Sequence, residues 1–427
     1  NCKNVTITEG IFGEVWIDDK DQDFPDPMPK TIKSYTLLNT NRMEVVVITW
    51  GATIVSLKAP DKYGHSADIV LGFENMKGYS NPITNPFLGC ILGRCANRIK
   101  DGHVTIRGKD YDLTKNDFNG KHHLHGGTNG FGRKIWDSYI AGCSVVMSYL
   151  SPDGEEGYPG AVLTTIRFKL NPDNKLDICM RATTSKPTIV NLSHGSMFNL
   201  AGHDAGESEL RKHKVLLNCD RWTFADYTDP VPTGAVRGVG GTVMDFRIPR
   251  VLGEYMKKIP PGEGFDHNLC VTRSGQPGST FVAKLWHVKS GRALEVYSDQ
   301  RGVHLYTGGR LPPQVVPEFL STYDLLKDIE EDEEQFEDHR SDEEDDDEEE
   351  MRVERRYKRT SKVPKKIEFI SGKRGARYKK YCAFSIQPQN YPSAIHYSHF
   401  PCSILYPGQI YYHDLTYKFE VHLSNYM

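Results

Sequence analysis

The sequence contains no run of apolar residues long enough to span a bilayer, and its first ten residues lack the apolar core of a secretion signal. Its nine cysteines are odd in number and scattered without the paired spacings of a metal site. We therefore expect them to be buried or free thiols in a reducing compartment. Together these absences predict a soluble, cytoplasmic protein with no membrane association.

Helical periodicity is also scarce, and residues 251–258 are the best short candidate for a helix. Short runs that alternate apolar and polar residues, such as residues 43–50 and 143–150, recur between clusters of Gly, Asn, Asp and Pro. This pattern is typical of many strands joined by turns. It predicts an all-β protein built as a large antiparallel β-sandwich.

Charge is distributed unevenly along the chain. Residues 328–350 contain 17 acidic residues and one basic residue, whereas residues 351–380 contain 13 basic residues and two acidic ones. Such runs bury too little apolar surface to offset the entropy of an ordered chain. We therefore predict a disordered insert, first acidic and then basic, at residues 320–380. Residues 1–319 and 381–427 would form a single β-sandwich domain around it.

The insert has two candidate kinds of partner. The acidic half could fold back on the basic half, or either half could dock a protein partner of opposite charge. A nucleic acid is a weaker candidate for residues 352–380, because the adjacent acidic run would compete with phosphate groups.

Polar side chains, glycines and strand formers are concentrated in residues 190–203, VNLSHGSMFNLAGH, which predicts a strand that gives way to a turn. Six further stretches combine polar and glycine residues in the same way. They are residues 93–99 (GRCANRI), 124–136 (LHGGTNGFGRKIW), 151–160 (SPDGEEGYPG), 264–268 (GFDHN), 294–308 (LEVYSDQRGVHLYTG) and 387–394 (QPQNYPSA).

The order and spacing of these stretches resemble the aldose 1-epimerase family, the galactose mutarotases, over nearly the whole chain. The resemblance implies a galactose mutarotase-like supersandwich with a sugar cleft on one concave face. It also implies interconversion of the α and β anomers of an aldose such as galactose or glucose. No cofactor and no metal are implied, and the neighbouring histidines 122, 123 and 125 show no third ligand at a metal spacing.

The two catalytic positions of the family are changed in this sequence. The family uses a histidine as acid, and its motif N-L-T-N-H-S-Y-F-N-L falls on residues 191–200 with Gly195 at the histidine. It uses a glutamate as base, and its motif L-E-T-Q-N-W-P-D-A falls on residues 386–394 with Gln387 at the glutamate. Glutamine still hydrogen-bonds a hydroxyl but has no carboxylate to act as a general base.

His194, next to the altered acid position, is a candidate substitute. Neighbouring side chains of a strand face opposite sides of the sheet, so His194 would reach the cleft only through a bulge or turn at Gly195.

Most of the family's sugar contacts are present. Asn97, Arg98, His125 and Asp266 match them, whereas His304 stands where the family has a glutamine. Three hypotheses follow. The chain is an impaired family member that acts by binding an aldose, a working epimerase that uses His194, or a scaffold whose charged insert is the functional part.

Overall fold

The computed structural model describes residues 4–17, 28–226, 228–259, 264–312 and 367–423. Helices within these ranges are short: α1 Met76–Ser80, α2 Gly206–Leu210 and α3 Leu252–Met256. Single 3₁₀ turns occur at Lys100–Gly102, Phe131–Arg133, Glu155–Gly157, Lys373–Gly375 and Ala394–His396. None of the helices in the described part of the chain is long and apolar enough to cross a membrane. Helix α3 lies inside the helix predicted at residues 251–258.

Strands make up most of the remaining regular structure. Those of the N-terminal part are β1 Val5–Ile17, β2 Met28–Asn39, β3 Glu44–Ile48, β4 Thr53–Pro60, β5 Ser66–Asp68, β6 Ile91–Leu92, β7 Arg98–Ile99, β8 His103–Ile106, β9 Lys109–Asp112, β10 His123–Leu124, β11 Asp137–Ala141 and β12 Ser144–Ser151. The middle part contributes β13 Val162–Leu170, β14 Lys175–Thr184, β15 Thr188–Ile189, β16 Ser193–His194, β17 His213–Leu217, β18 Cys219–Ala225, β19 Pro232–Gly238, β20 Arg250–Val251, β21 Asp266–Val271, β22 Thr280–His287, β23 Arg292–Ser298 and β24 Gly302–Tyr306. The C-terminal part contributes β25 Ile370–Ser371, β26 Arg377–Tyr378, β27 Ser385–Gln389, β28 Ile404–Leu405 and β29 Tyr411–Val421.

Three large sheets organise these strands. The largest has the order β11-β12-β13-β14-β29-β23-β22-β17-β20, and the two others have the orders β1-β2-β3-β4-β5 and β19-β18-β21-β24-β27. Neighbouring strands in all three are antiparallel. Burial alternates along β13, β14 and β29, as the two-residue period of a sheet with one buried face requires.

One hydrophobic core joins the three sheets. It includes Val45 from the N-terminal sheet, Ile178 and Leu415 from the largest sheet, and Leu305 and Ile386 from the third, all essentially inaccessible to solvent. The prediction of an all-β antiparallel fold is confirmed. The strand predicted within residues 190–203 is shorter than expected, since β16 has only two residues.

The predicted limits of the insert are wrong at their C-terminal end. Residues 367–380 contain β25 and β26, and the side chains of Ile370 and Tyr378 are buried. Lys373 is also buried: its Nζ contacts Asp68 Oδ2 at 2.6 Å and donates to the carbonyl of Val55 at 2.8 Å. The remaining part of the predicted insert, residues 320–366, lies outside the described residues.

The expectation of free thiols holds for seven described cysteines and is wrong for Cys143, which is disulfide-bonded. The free thiols are Cys90, Cys95, Cys179, Cys219, Cys270, Cys382 and Cys402. A disulfide does not fit the reducing compartment inferred from cysteine spacing.

Candidate functional site

Three neighbouring strands of the third sheet form the floor of the candidate site. His304 on β24 lies directly opposite Asn268 on β21 and Gln387 on β27. Residues opposite each other on antiparallel strands project from the same face of the sheet. Asp266, two residues before Asn268, shares that face. The structure thus brings together three of the predicted site residues: Asp266, His304 and Gln387.

Arg98 reaches this floor from another part of the chain. It follows Asn97, which has a left-handed φ of 65° and whose Oδ1 accepts a hydrogen bond from the Arg98 backbone N–H at 2.8 Å. Arg98 Nη1 lies 3.4 Å from Asp266 Oδ2, and its Nε lies 2.6 Å from Asp117 Oδ2. The Arg98 side chain is only 5% exposed, so these carboxylates supply the partners that a buried charge requires.

The opposite charges of this network favour the ionised form of each group. Burial raises the pKa of the Asp266 carboxyl, but Arg98 and His304 outweigh that effect and hold the pKa well below its ordinary value. Burial also opposes ionisation of Asp117, yet Arg98 and Arg310 lower its pKa. Burial lowers the pKa of Arg98, and the two carboxylates more than reverse this. Both carboxylates and the guanidinium are therefore charged at neutral pH.

His125 lies beside this network as a neutral hydrogen-bond donor. Its Nδ1 accepts a hydrogen bond from the backbone N–H of Asn97 at 3.0 Å, which leaves the ring proton on Nε2. Burial, aided by the charge of Arg98, lowers the pKa of His125 to about 3. The ring of Phe87 packs edge-on against it with centroids 5.2 Å apart.

The chain closes over Gly195, the position that the family resemblance assigns to the catalytic acid. Gly195 donates its N–H to the carbonyl of Cys90 at 2.8 Å and accepts from the N–H of Gly89 at 3.0 Å. A Cβ built on Gly195 would lie 2.6 Å from the carbonyl oxygen of Phe87, which is closer than real Cβ contacts come. Backbone of Phe87 thus occupies the space that a side chain at residue 195 would need.

His194 is part of the core. The residue is fully buried, its Nε2 lies 3.0 Å from the carbonyl oxygen of Gly89, and its Nδ1 lies 3.3 Å from the hydroxyl of Tyr417. Burial lowers its pKa to about 3. Both ring nitrogens are engaged inside the protein, and the structure does not bring His194 to the floor formed by β21, β24 and β27.

The floor carries buried polar atoms without hydrogen-bond partners among the described residues. They are Asn268 Oδ1, His304 Nδ1 and Gln387 Oε1. Gln387 is 6% exposed, and its Nε2 donates to Ser385 Oγ at 2.9 Å. A buried polar atom left unpaired costs about 1–3 kcal/mol. Ligand hydroxyl groups can remove that cost, because a hydroxyl both donates and accepts.

Two charged residues of the site were not found from the sequence. Asp117 binds Arg98, and Arg310 lies 3.6 Å from both Asp117 Oδ1 and Asp266 Oδ2. Arg310 also donates its backbone N–H to the hydroxyl of Tyr306 at 2.9 Å. The available signal for Arg310 was its place two residues after the LYTG motif. Asp117 precedes a surface turn and has no local signal.

The histidines next to His125 have structural contacts. His122 Nε2 lies 2.9 Å from Asp229 Oδ1, and its Nδ1 accepts from the Asp101 backbone N–H at 3.0 Å. His123 Nε2 lies 2.5 Å from the hydroxyl of Tyr158. In the described ranges, no group of three or more His, Cys, Asp or Glu side chains is placed to hold a metal ion.

The chain has recognised relatives. The family model for aldose 1-epimerase matches residues 33–418. Galactose mutarotase of Bos taurus is 32% identical over 417 residues, 98% of this chain and 99% of that protein. Galactose mutarotase of Homo sapiens is 33% identical over 419 residues, 97% of this chain and 99% of that protein.

A solved structure agrees with these matches. The aldose epimerase homologue of C. elegans superposes with a TM-score of 0.70 and 27% identity, covering 90% of this chain and 97% of that chain. The architecture is therefore that of the galactose mutarotase-like β-proteins. The chain belongs to the aldose 1-epimerase family.

Proposed function

We propose that the chain binds an aldose such as galactose or glucose on the floor formed by β21, β24 and β27. We also propose that it has lost most of the family's power to interconvert anomers. The observation that carries the binding role is the row of unpartnered buried polar atoms on Asn268, His304 and Gln387. Arg98 and His125 lie beside this row and add donors.

A sugar is the class of ligand that fits this arrangement. Asn268 Oδ1 and Gln387 Oε1 are acceptors that need hydroxyl donors, and the Asp266 carboxylate and the Arg98 guanidinium offer stronger charge-assisted hydrogen bonds. An apolar ligand would leave these atoms unpaired at about 1–3 kcal/mol each. Several hydroxyls on one rigid ring would satisfy them together.

The loss of catalysis is inferred from two side chains. Anomer interconversion needs one group that takes the proton of the anomeric hydroxyl and another that protonates the ring oxygen. The family resemblance assigns these roles to the positions of Gln387 and Gly195, and neither residue ionises. His194, the candidate substitute, is held in the core. Each lost group typically contributes roughly 10²–10⁴-fold, so turnover should fall far below that of a working family member.

Titration calorimetry with galactose and with glucose tests the binding role. Wild type should release or take up heat on binding, and Asp266→Asn should lose that signal because its carboxylate contacts both Arg98 and His304. Asp414→Asn is a matched control, since Asp414 pairs with Arg181 on the largest sheet, where its side chain is 43% exposed. It should bind as wild type does.

Circular dichroism of each variant shows whether the fold is kept. If Asp266→Asn unfolds, Asn268→Ala makes the same test without removing a charge. A wild-type protein that binds no common aldose would contradict the proposed function. That result would favour an interaction role for the charged insert, whose residues 320–366 lie outside the described residues.

A further inference from the structure

His304 is an imidazole on the floor that has so far been considered only as one of the binding groups. The family resemblance places a glutamine here, so the imidazole is a departure from the family. Its Nε2 lies 2.7 Å from Asp266 Oδ1, and its side chain is 7% exposed. Its Nδ1 is buried and has no hydrogen-bond partner among the described residues.

We propose that His304 acts as a general base on the anomeric hydroxyl of an aldose bound in this site, with Asp266 as its positioning residue. The proposal rests on the sugar binding proposed above. It gives the chain one acid–base group in place of the two that the family uses.

The contact between Asp266 and His304 prepares the imidazole for this role. An ionised carboxylate accepts a hydrogen bond from Nε2–H and thereby leaves the lone pair on Nδ1. When Nδ1 takes a proton, the same carboxylate stabilises the imidazolium that forms. Carboxylate–imidazole pairs of hydrolytic enzymes use the same physical arrangement.

His304 is also close to the position of the missing base. It lies directly opposite Gln387, and such residues on adjacent antiparallel strands have Cβ atoms about 4.5–5.5 Å apart. A base on His304 is therefore displaced by one strand along the same face, from β27 to β24. Gln387 keeps the capacity to hydrogen-bond a sugar hydroxyl.

The neighbouring histidines and arginines are poor bases. Burial lowers the pKa of His125 to about 3 and that of His267 to about 4. The Nδ1 atoms of both rings already accept backbone hydrogen bonds, from Asn97 and Asp266 respectively. The nearby arginines stay protonated and cannot accept a proton.

The chemical step balances without a cofactor. His304 Nδ1 takes the proton of the anomeric hydroxyl, the C1–O bond of the ring breaks, and C1 becomes a carbonyl. The ring oxygen takes a proton from a water molecule, and the imidazolium returns its proton to the hydroxide left behind. Rotation about C1–C2 and the reverse sequence then give the other anomer.

Polarimetry of α-galactose with the purified full chain tests the proposal, with His304→Gln as the variant because glutamine is the family's own residue. Wild type should accelerate mutarotation in proportion to protein concentration. His304→Gln should lower that acceleration by about 100-fold or more, since a general base contributes roughly 10²–10⁴-fold. Because glutamine still offers a donor and an acceptor to a sugar hydroxyl, the calorimetric affinity of this variant for galactose should stay within about tenfold of wild type. His65→Gln, an 82% exposed histidine, is the control and should change neither quantity.

The outcomes separate the two proposals. An equal acceleration in His304→Gln, or a wild type that binds galactose without accelerating mutarotation, overturns the role of His304 and leaves sugar binding intact. A folded His304→Gln that no longer binds galactose also overturns it, because the loss of acceleration would then follow from the loss of binding. Absence of binding to wild type overturns both. If His304→Gln does not fold, His304→Asn is compared in the same way.

Discussion

Gly195→Ala tests whether the acid position of the family is closed in this chain. The added Cβ would lie 2.6 Å from the carbonyl oxygen of Phe87 and 3.3 Å from that of Cys90. The nearer contact is with backbone, so the backbone at residue 87 or at residue 195 must move to relieve it. Overpacking of this kind costs about 1–3 kcal/mol. At an open position with ordinary backbone angles, Gly→Ala would instead stabilise by about 0.4–1 kcal/mol.

The sign of the change therefore decides the result. We expect the free energy of unfolding in urea to be about 1–3 kcal/mol lower for Gly195→Ala than for wild type. The control is Gly238→Ala, because Gly238 is exposed in β19 and a Cβ there would meet no atom within 4 Å. It should be neutral or slightly stabilising. A gain in stability for Gly195→Ala would refute the closed position.

The same contact limits an obvious rescue experiment. The double variant Gly195→His with Gln387→Glu returns the acid and base side chains that the family resemblance assigns to these positions. If the site were otherwise intact, it should recover mutarotation. With the carbonyl of Phe87 in the space of the new Cβ, we expect the histidine to be misplaced and the activity to stay low.

Two further predictions concern stability. Lys373→Met leaves the Asp68 carboxylate buried without its cation, so the free energy of unfolding in urea should fall by about 3–5 kcal/mol. Lys380→Met is the control, because Lys380 is exposed, and its free energy of unfolding should stay within about 0.5 kcal/mol of wild type. Equal effects would contradict docking of residues 367–380. Burial lowers the pKa of His194 from 6.5 to about 3, so between these values the unfolded chain binds a proton that the folded chain does not. Stability therefore falls as the pH is lowered through this range, and His194→Gln should reduce the slope by up to about 1.4 kcal/mol per pH unit; an unchanged slope would contradict the buried neutral ring.

Much of the fold could be predicted because strand alternation is a local signal. The run at residues 43–50 became β3, and the run at residues 143–150 became β12. The end of the insert could not be placed in this way. Residues 367–380 are strongly basic, yet Ile370, Lys373 and Tyr378 pack on the body, and only the distant Asp68 explains why a lysine is buried there.

Site residues that belong to a sequence motif could be predicted. Contacts that depend on the tertiary structure could not. Asp266 and His304 were found, but the hydrogen bond between them follows from the register of β21 and β24, which the sequence does not specify. Asp117 reaches Arg98 across a separation of 19 residues from a turn with no motif. The closure of Gly195 by Phe87 depends on backbone positions within a few tenths of an ångström.

The central claim is that an aldose binds in a site without the family's acid and base. Its most direct test is the kcat/KM for mutarotation of α-galactose, measured by polarimetry beside the galactose mutarotase of Sus scrofa, which is 33% identical to this chain. Even with His304 acting as a base, the missing acid should leave the value at least about 100-fold below that of the relative. A value comparable to the relative's would contradict the proposed loss of the two catalytic groups at the positions of Gly195 and Gln387.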